Sequence, residues 1–422
     1  MHLADTGTFK NFSEFSPFLD HLESVDWRMP LAIAVSGGGD SMALLASVLK
    51  LRQQNALDAS VFVLTVDHDL RRESASEAAS VAGFCAQFGL NHSVLRWHGA
   101  KPSTAVAERG RMMRRDLLLA ECRARGVRQL LLAHTMDDVC ETLLMRVRRG
   151  GLRGHASIAP ETQISRIRVL RPFLALQRKD LRNALRRSGL FWFDDPSNAN
   201  MQYERPRVRR ALQEMAGDGF PMDRVAAYAA VMGRWRAVMA QQIASVLATN
   251  CERVGADVQL RAGPLRSLPQ IIAVETLREL VRFVGGDAYM IAFDQAKTTV
   301  HKLLTSDSDA KAFSSGRCVL TPGKNGVWRI SRARRELPII SVTAGQSVVW
   351  DGRFAVELDE AAQCSAEILP PIDKSVSDMP VVLPEMVPYT ISFRPRALNG
   401  PIAGFDKPIF QALEGLLVEK SG

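Results

Sequence analysis

The hexapeptide Ser36-Gly37-Gly38-Gly39-Asp40-Ser41 follows directly on the apolar run Leu31-Ala32-Ile33-Ala34-Val35, and no other stretch restricts the fold as strongly. An unbroken apolar run of this length reads as a strand buried on both faces. Three consecutive glycines permit left-handed backbone angles, so successive N–H groups can converge on one point and bind an anion. Residues 42–50 then supply a helix whose N-terminus favours the same anion. Strand, glycine turn and helix in that order open an α/β domain with a phosphate cradle.

Two common phosphate loops are excluded. The GxxxxGK[ST] pattern needs a lysine beside the turn, and Lys50 alone lies between Ser36 and Leu51, too far along to reach a γ-phosphate. The dinucleotide pattern GxGxxG fails because Asp40, Ser41 and Met42 stand where a third spaced glycine is required. A purely structural strand-to-helix turn remains the bland alternative.

Strand and helix signals alternate up to about residue 215. Apolar runs at Leu31–Val35, Val61–Val66, His92–Trp97, Leu130–His134 and Val169–Leu174 read as buried parallel strands with helical patterns between most of them. This predicts a doubly wound α/β domain, whose ligands bind beyond the carboxyl ends of the strands. Three strand ends carry chemistry: SGGGDS, then Val66-Asp67-His68-Asp69-Leu70-Arg71, then Ala133-His134-Thr135-Met136-Asp137-Asp138 running on to Gly150. Asp137 and Asp138 fall in a first helical turn, where negative charge is favoured, and Asp137 and Glu141 share a face. Such an acidic face beside a phosphate cradle suits Mg²⁺ or a substrate ammonium. Taken alone, the aspartates also read as helix caps, and His68 and His134 as hydrogen-bonded structural histidines.

Charge is uneven along the chain. Arg109 to Arg210 holds 22 Arg and 1 Lys against 10 Asp plus Glu, whereas the whole chain carries a net charge of only +9. An arginine field beside a phosphate loop suits a polyanion, because guanidinium binds phosphate in a bidentate fork and stacks on bases. For Arg182, Arg186 and Arg187 an ordinary solvated helix face is the competing reading. The six cysteines, Cys85, Cys122, Cys140, Cys251, Cys318 and Cys364, include no CxxC pair, which argues against a disulfide framework, zinc or an iron–sulfur cluster. No apolar stretch approaches the ~20 residues of a membrane span. Residues 1–23 lack the basic flank and apolar core of a secretory signal; Phe15, Phe18, Leu19 and Leu22 read as one face of a leading helix, and a cytoplasmic location is expected.

Beyond residue 215 the pattern changes. Val225–Leu247, Leu265–Phe283 and Met290–Leu304 have helical spacing, with the Met and Trp positions expected in the core. From Cys318 the signal turns to strands, with Gly323-Lys324-Asn325-Gly326 as a hairpin turn and a second strand pair within Gln346–Leu358. The expected organisation is an α/β phosphate-binding domain over 1–215, a helical domain over 216–310, and a smaller β-rich region over 311–422.

SGGGDS resembles the PP-loop of the N-type ATP pyrophosphatases, whose signature is SGGxDS after a first strand. VDHDLR is similar to the DHxLR motif, and AHTMDDVCETLLMRVRRG to the AHxxDDxxETxLxxxxRG motif, of bacterial tRNA(Ile)-lysidine synthetases. Gly110-Arg111-Met112-Met113-Arg114, Arg171-Pro172-Phe173-Leu174, and Trp192 to Asn198 with Arg205 and Arg209 resemble further segments of that family. Trp350-Asp351-Gly352-Arg353-Phe354 resembles a C-terminal element of some members. The match covers about the first 210 residues well. Pro206, Arg115 and His155 depart from the family pattern, and a backbone contact at 206 would lack its donor.

The resemblance implies a ligase, with 1–215 as its ATP-binding catalytic domain and the helical domain over 216–310 gripping tRNA. ATP activates the C2 carbonyl oxygen of the wobble cytidine in a CAU-anticodon tRNA(Ile), pyrophosphate leaves, and free L-lysine displaces AMP to give lysidine. It implies phosphate binding by Ser36, Gly37, Gly38, Gly39, Asp40 and Ser41, with His68 near the nucleotide. Arg111, Arg114 and Arg205 would neutralise pyrophosphate or the adenylate. Asp137, Asp138 and Glu141 would hold magnesium or the incoming lysine, and Asp40 with Asp138 are the candidate Mg²⁺ ligands. The oligomeric state stays open, a homodimer included. Two rival readings are another PP-loop adenylating enzyme, either a tRNA thiolase or a small-molecule synthetase, and a noncatalytic RNA-binding protein of the same fold.

Overall fold

The computed structural model describes residues 12–54, 60–68, 73–99, 106–148, 151–194, 200–306, 310–362, 365–371, 379–383, 389–395, 398 and 401–417. Asp69, Leu70 and Arg71, Arg149 and Gly150, Asp195 to Asn198, and Cys364 lie outside them. The chain divides into two compact units, Met1–Arg234 and Trp235–Gly422.

The first unit is built on the strands β1 (Leu31–Ala34), β2 (Val61–Asp67), β3 (Asn91–Arg96), β4 (Gln129–Leu131), β5 (Glu161–Ile164) and β6 (Ile167–Leu170), in the spatial order β5-β6-β4-β1-β2-β3. β1 runs parallel to β2 and β4, β2 to β3, and β4 to β6; β5 pairs antiparallel with β6. This is the α/β architecture expected from the alternating pattern. β1 lies between two neighbours, which is why all four of its residues are apolar and buried. The helix that follows it, α1 (Gly39–Gln53), is buried from Ser41 to Leu49. It packs under a leading 3₁₀ helix (Ser13–Leu22) that contributes Phe15, Phe18 and Leu22 to the same core.

The remaining helices are α2 (Ser74–Gln87), α3 (Val106–Ala124), α4 (Met136–Val147), α5 (Arg178–Arg187) and α6 (Glu204–Gly217), followed by α7 (Met222–Asn250). Strand ends differ from expectation: β4 stops at Leu131, short of His134. β6 stops at Leu170, and Phe173 and Leu174 fall in a 3₁₀ turn (Pro172–Ala175) because Pro172 has no N–H for the ladder. β5 is an additional strand, joined to β6 through Ser165 at φ 54°. Pro206 sits in the first turn of α6, where backbone N–H groups lack intrahelical acceptors, so its missing donor costs little.

The second unit combines helices and sheets. β7 (Cys251–Val254) and β8 (Asp257–Arg261) form a hairpin that joins β9 (Phe313–Ser315), β10 (Cys318–Pro322) and β11 (Val327–Arg332) in the order β7-β8-β11-β10-β9. The turn between β10 and β11 is the expected Gly323–Gly326 segment, with Asn325 left-handed at φ 55°. Helices α8 (Gln270–Gly285), α9 (Phe293–Thr305) and α10 (Lys407–Gly415) share one core with this sheet. Smaller sheets contain β12 (Ile340–Val342), β15 (Ala366–Leu369) and β16 (Val381–Leu383), and β13 (Ser347–Trp350), β14 (Phe354–Leu358) and β17 (Tyr389–Phe393). No helix among the described residues is long and apolar enough to cross a membrane.

Candidate active site

The glycine loop is locked by its own residues. Gly37 has φ +80°, and a Cβ there would lie 3.0 Å from Phe193 Cδ2 and 3.4 Å from Val81 Cγ2. Phe193 N–H donates to Gly37 O at 2.9 Å, which holds the loop against the chain after α5. Ser41 Oγ donates to Gly38 O at 2.8 Å and accepts from Ser36 N–H at 3.2 Å. The two serines therefore brace the turn at both ends, and the helix dipole of α1 points at the space it encloses.

Beside the loop, four carboxylates meet three guanidiniums. Arg178 Nε donates to Asp40 Oδ2 at 3.0 Å and its Nη2 to Asp138 Oδ1 at 3.2 Å, while Nη1 lies 3.5 Å from Glu141 Oε1 and 4.0 Å from Asp137 Oδ1. Arg178 N–H also donates to Asp137 Oδ2 at 2.8 Å. Arg205 binds Asp138 Oδ1 at 2.7 Å and Glu141 Oε2 at 2.6 Å, and Arg209 binds Glu141 Oε1 at 2.7 Å. Glu141 is only 1% exposed. Burial by itself would raise the Asp138 carboxyl, but Arg178 and Arg205 hold it below the ordinary carboxylate range. For Asp40 the balance is reversed: burial pushes it up and Arg178 only partly offsets this. The acids and Arg205 expected from the sequence are thus brought together, and Asp137, Asp138 and Glu141 all come from α4.

His134 and Arg114 border this cluster. Burial drives the His134 imidazole down to about 4, against the pull of Asp138, so it is neutral at physiological pH. Its Nδ1 has no hydrogen-bond partner among the described residues. Arg114, on α3, is shifted down by burial with no carboxylate partner among the described residues. Arg171 is shifted down to about 10 by burial, and donates to Ala159 O at 3.0 Å and Thr162 Oγ1 at 2.9 Å. Arg111 is exposed on α3, and no described contact ties it to the cluster. His68 directly follows β2, at the same carboxyl-end edge of the sheet as the glycine loop.

The arginines of α5 are tethered rather than freely solvated. Arg182 binds Asp194 at 2.6 Å, Arg187 binds Glu14 at 2.6 Å, and Arg186 lies 5.6 Å over the Trp192 ring. Arg178, the most connected of them, is not among the residues expected from the sequence. Its available signal was its position as the first residue of a helix, where a cation opposes the macrodipole and needs a compensating anion. All five described cysteines are buried, and their thiols are pushed up to about 12 by burial, so they are inert at neutral pH.

A family model described as a PP-loop domain matches residues 14–216. The tRNA(Ile)-lysidine synthase of Rhizobium meliloti (strain 1021) is 35% identical over 345 residues, covering 78% of this chain and 73% of that protein. The protein of the same name from Ruegeria pomeroyi is 35% identical over 329 residues, covering 77% and 76%. That from Brucella suis biovar 1 is 32% identical over 343 residues, covering 80% and 76%. This chain belongs to the tRNA(Ile)-lysidine synthase family. Its matched PP-loop span contains the whole cluster from Asp40 to Arg209, which makes ATP the substrate to fit against these residues.

The donor set admits a metal only with help from that substrate. Among the described residues no group of three or more His, Cys, Asp or Glu side chains is arranged to hold an ion. Asp138 Oδ1 accepts from two arginines and Oδ2 from Thr135 N–H at 2.9 Å. Asp40 Oδ1 is buried without a hydrogen-bond partner among the described residues. One such carboxylate oxygen is what Mg²⁺ needs when phosphates and water supply its other ligands.

Proposed function

We propose that this chain ligates L-lysine to C2 of the wobble cytidine of CAU-anticodon tRNA(Ile), using ATP through an adenylated cytidine and releasing AMP and pyrophosphate. The observation that carries the reading is the junction of two half-sites in one unit. The SGGGDS loop is joined through Asp40 and Arg178 to the acidic face of α4.

A pyrimidine carbonyl oxygen is a poor leaving group, and adenylation converts it into AMP, a good one. The backbone N–H groups of Gly37, Gly38 and Gly39 and the first turn of α1 receive phosphate oxygens. Asp40 would hold Mg²⁺, which neutralises developing charge on the phosphates. Arg114, without a carboxylate partner among the described residues and near enough to His134 for its charge to be felt there, is placed to take up pyrophosphate or adenylate charge. Asp137 is the most exposed carboxylate of the four, at 39%, and is the one open to a substrate ammonium. The amine must lose a proton before it attacks. A base in a single-stranded loop can be splayed into such a pocket at modest cost, and a cytoplasmic location goes with this substrate.

The test is incorporation of labelled lysine into a CAU-anticodon tRNA(Ile) transcript with ATP and Mg²⁺. The reading fails if no lysine is incorporated, or if elongator methionine tRNA is labelled equally. Asp40→Asn should abolish pyrophosphate release while leaving tRNA affinity within about twofold.

A further inference from the structure

Arg178 stands where three helix N-termini meet. Asp40 lies in the first turn of α1, Asp137 and Asp138 in the first turn of α4, and Arg178 is itself the first residue of α5. Helix N-termini repel cations. A guanidinium is tolerated there only because four carboxylates surround it, and they raise its affinity for the proton despite burial. Among the described residues it is the one side chain that contacts both the ATP-loop aspartate and the α4 acids. Arg205 and Arg209 reach the α4 acids and not Asp40.

We infer that Arg178 is a positioning residue that acts as an internal counter-cation, holding the ATP half-site to the acidic half-site and competing with Mg²⁺ for Asp40. The inference rests on the ATP-dependent reading above. Its physical basis is that Nε of Arg178 occupies Asp40 Oδ2, leaving Oδ1, buried and without a hydrogen-bond partner among the described residues, as the oxygen that can meet a cation. A divalent ion at Oδ1 would meet the guanidinium charge across a single carboxylate. Mg²⁺ therefore binds weakly until ATP phosphates add negative charge, so that metal and nucleotide load together. Once they are bound, Arg178 keeps its contacts to Asp138 and Glu141 and holds α4 in register with the loop.

The experiment titrates Mn²⁺, read by electron paramagnetic resonance, into the nucleotide-free full-length protein. Arg178→Ala should bind Mn²⁺ roughly tenfold more tightly than the unsubstituted protein, because one nearby positive charge is gone. Arg178→Lys retains the charge and should stay within about twofold. Arg178→Gln, which keeps a donor without the charge, should follow Arg178→Ala and serves if the alanine variant does not fold. In an Asp40→Asn background, removing Arg178 should change nothing. Equal Mn²⁺ affinity in the unsubstituted protein and a folded Arg178→Gln would overturn the inference, as would a gain that persists in the Asp40→Asn background. Because no tRNA or lysine is present, these outcomes are independent of lysine incorporation. For the ligation itself, Arg178→Lys should lower kcat with little change in KM for ATP, since a point charge cannot bridge both half-sites; a rise in KM alone would count against the bridging role.

Discussion

Arg205 reaches Glu141 Oε2 at 2.6 Å from a helix 64 residues further along the chain, and Glu141 is almost wholly withdrawn from water. Arg209 closes on the other oxygen at 2.7 Å. Removing the carboxylate would strip a charge partner from Arg178, Arg205 and Arg209 at once, and breaking a buried pair from one side is far costlier than its net contribution. Glu141→Ala is expected to destabilise the first unit by about 3 kcal/mol, read by urea unfolding, and to abolish lysine transfer. A loss below about 1 kcal/mol would mean that water already shares this pair.

Gly37 is held at φ +80° with the Phe193 ring against it. For an L-residue that backbone costs roughly 1–2 kcal/mol, and the new methyl must also displace the ring. Gly37→Ala should raise the KM for ATP about tenfold, measured by pyrophosphate release. Gly38 has an ordinary extended φ of −73°, and its added methyl would meet Ser36 Oγ at 3.5 Å. Gly38→Ala should therefore spare folding stability, and equal destabilisation of the two variants would contradict this account.

What the sequence displays is whatever lies within one helical turn or one strand. SGGGDS, and the spacing of Asp137, Asp138 and Glu141, are local patterns, and the structure places them at adjoining strand ends of one sheet. Arg178 is invisible at that range because its partner Asp40 is 138 residues away. The hairpin β7–β8 hides for a different reason. It is a short strand pair turning at Gly255 (φ 62°) between two strong helical patterns, and the inward alternation of Val258 and Leu260 is brief. β5 is equally short, and only its pairing with β6 makes it a strand.

His134 sets a pH dependence of known sign. Its folded value is about 4, lowered chiefly by burial, against roughly 6.5 in an unfolded chain. Between those limits the unfolded state binds the proton and the folded state does not, so stability falls as pH drops from about 6.5 to 4. Asp138, held low by Arg178 and Arg205 after its burial is overcome, acts in the same sense but only below the ordinary carboxylate range. Between pH 7.5 and pH 4.5 His92, also lowered by burial, adds to the loss and Asp40, raised by burial, opposes it, so the share of His134 is read by substitution. His134→Gln should reduce the difference in unfolding free energy by on the order of 2 kcal/mol, allowing for partial solvent access. An unchanged difference would place the titration elsewhere.

Asp351, in the β13–β14 turn, is the counterpart of Glu141 in the second unit. It is withdrawn from solvent and accepts from Arg317, from Arg332 Nε and Nη2 at 3.0 Å each, and from Arg353 Nε at 3.0 Å. Arg332 and Arg353 are themselves 5% and 1% exposed. One carboxylate thus neutralises a cluster of guanidiniums, at a left-handed φ of 49° that aspartate tolerates better than most residues. Asp351→Asn keeps the shape and one acceptor but removes the negative charge that these buried arginines share. It should cost about 3–5 kcal/mol of stability, and Asp351→Ala no less, measured by chemical denaturation. If Asp351→Asn matched the unsubstituted protein, backbone geometry rather than charge would be what holds this turn.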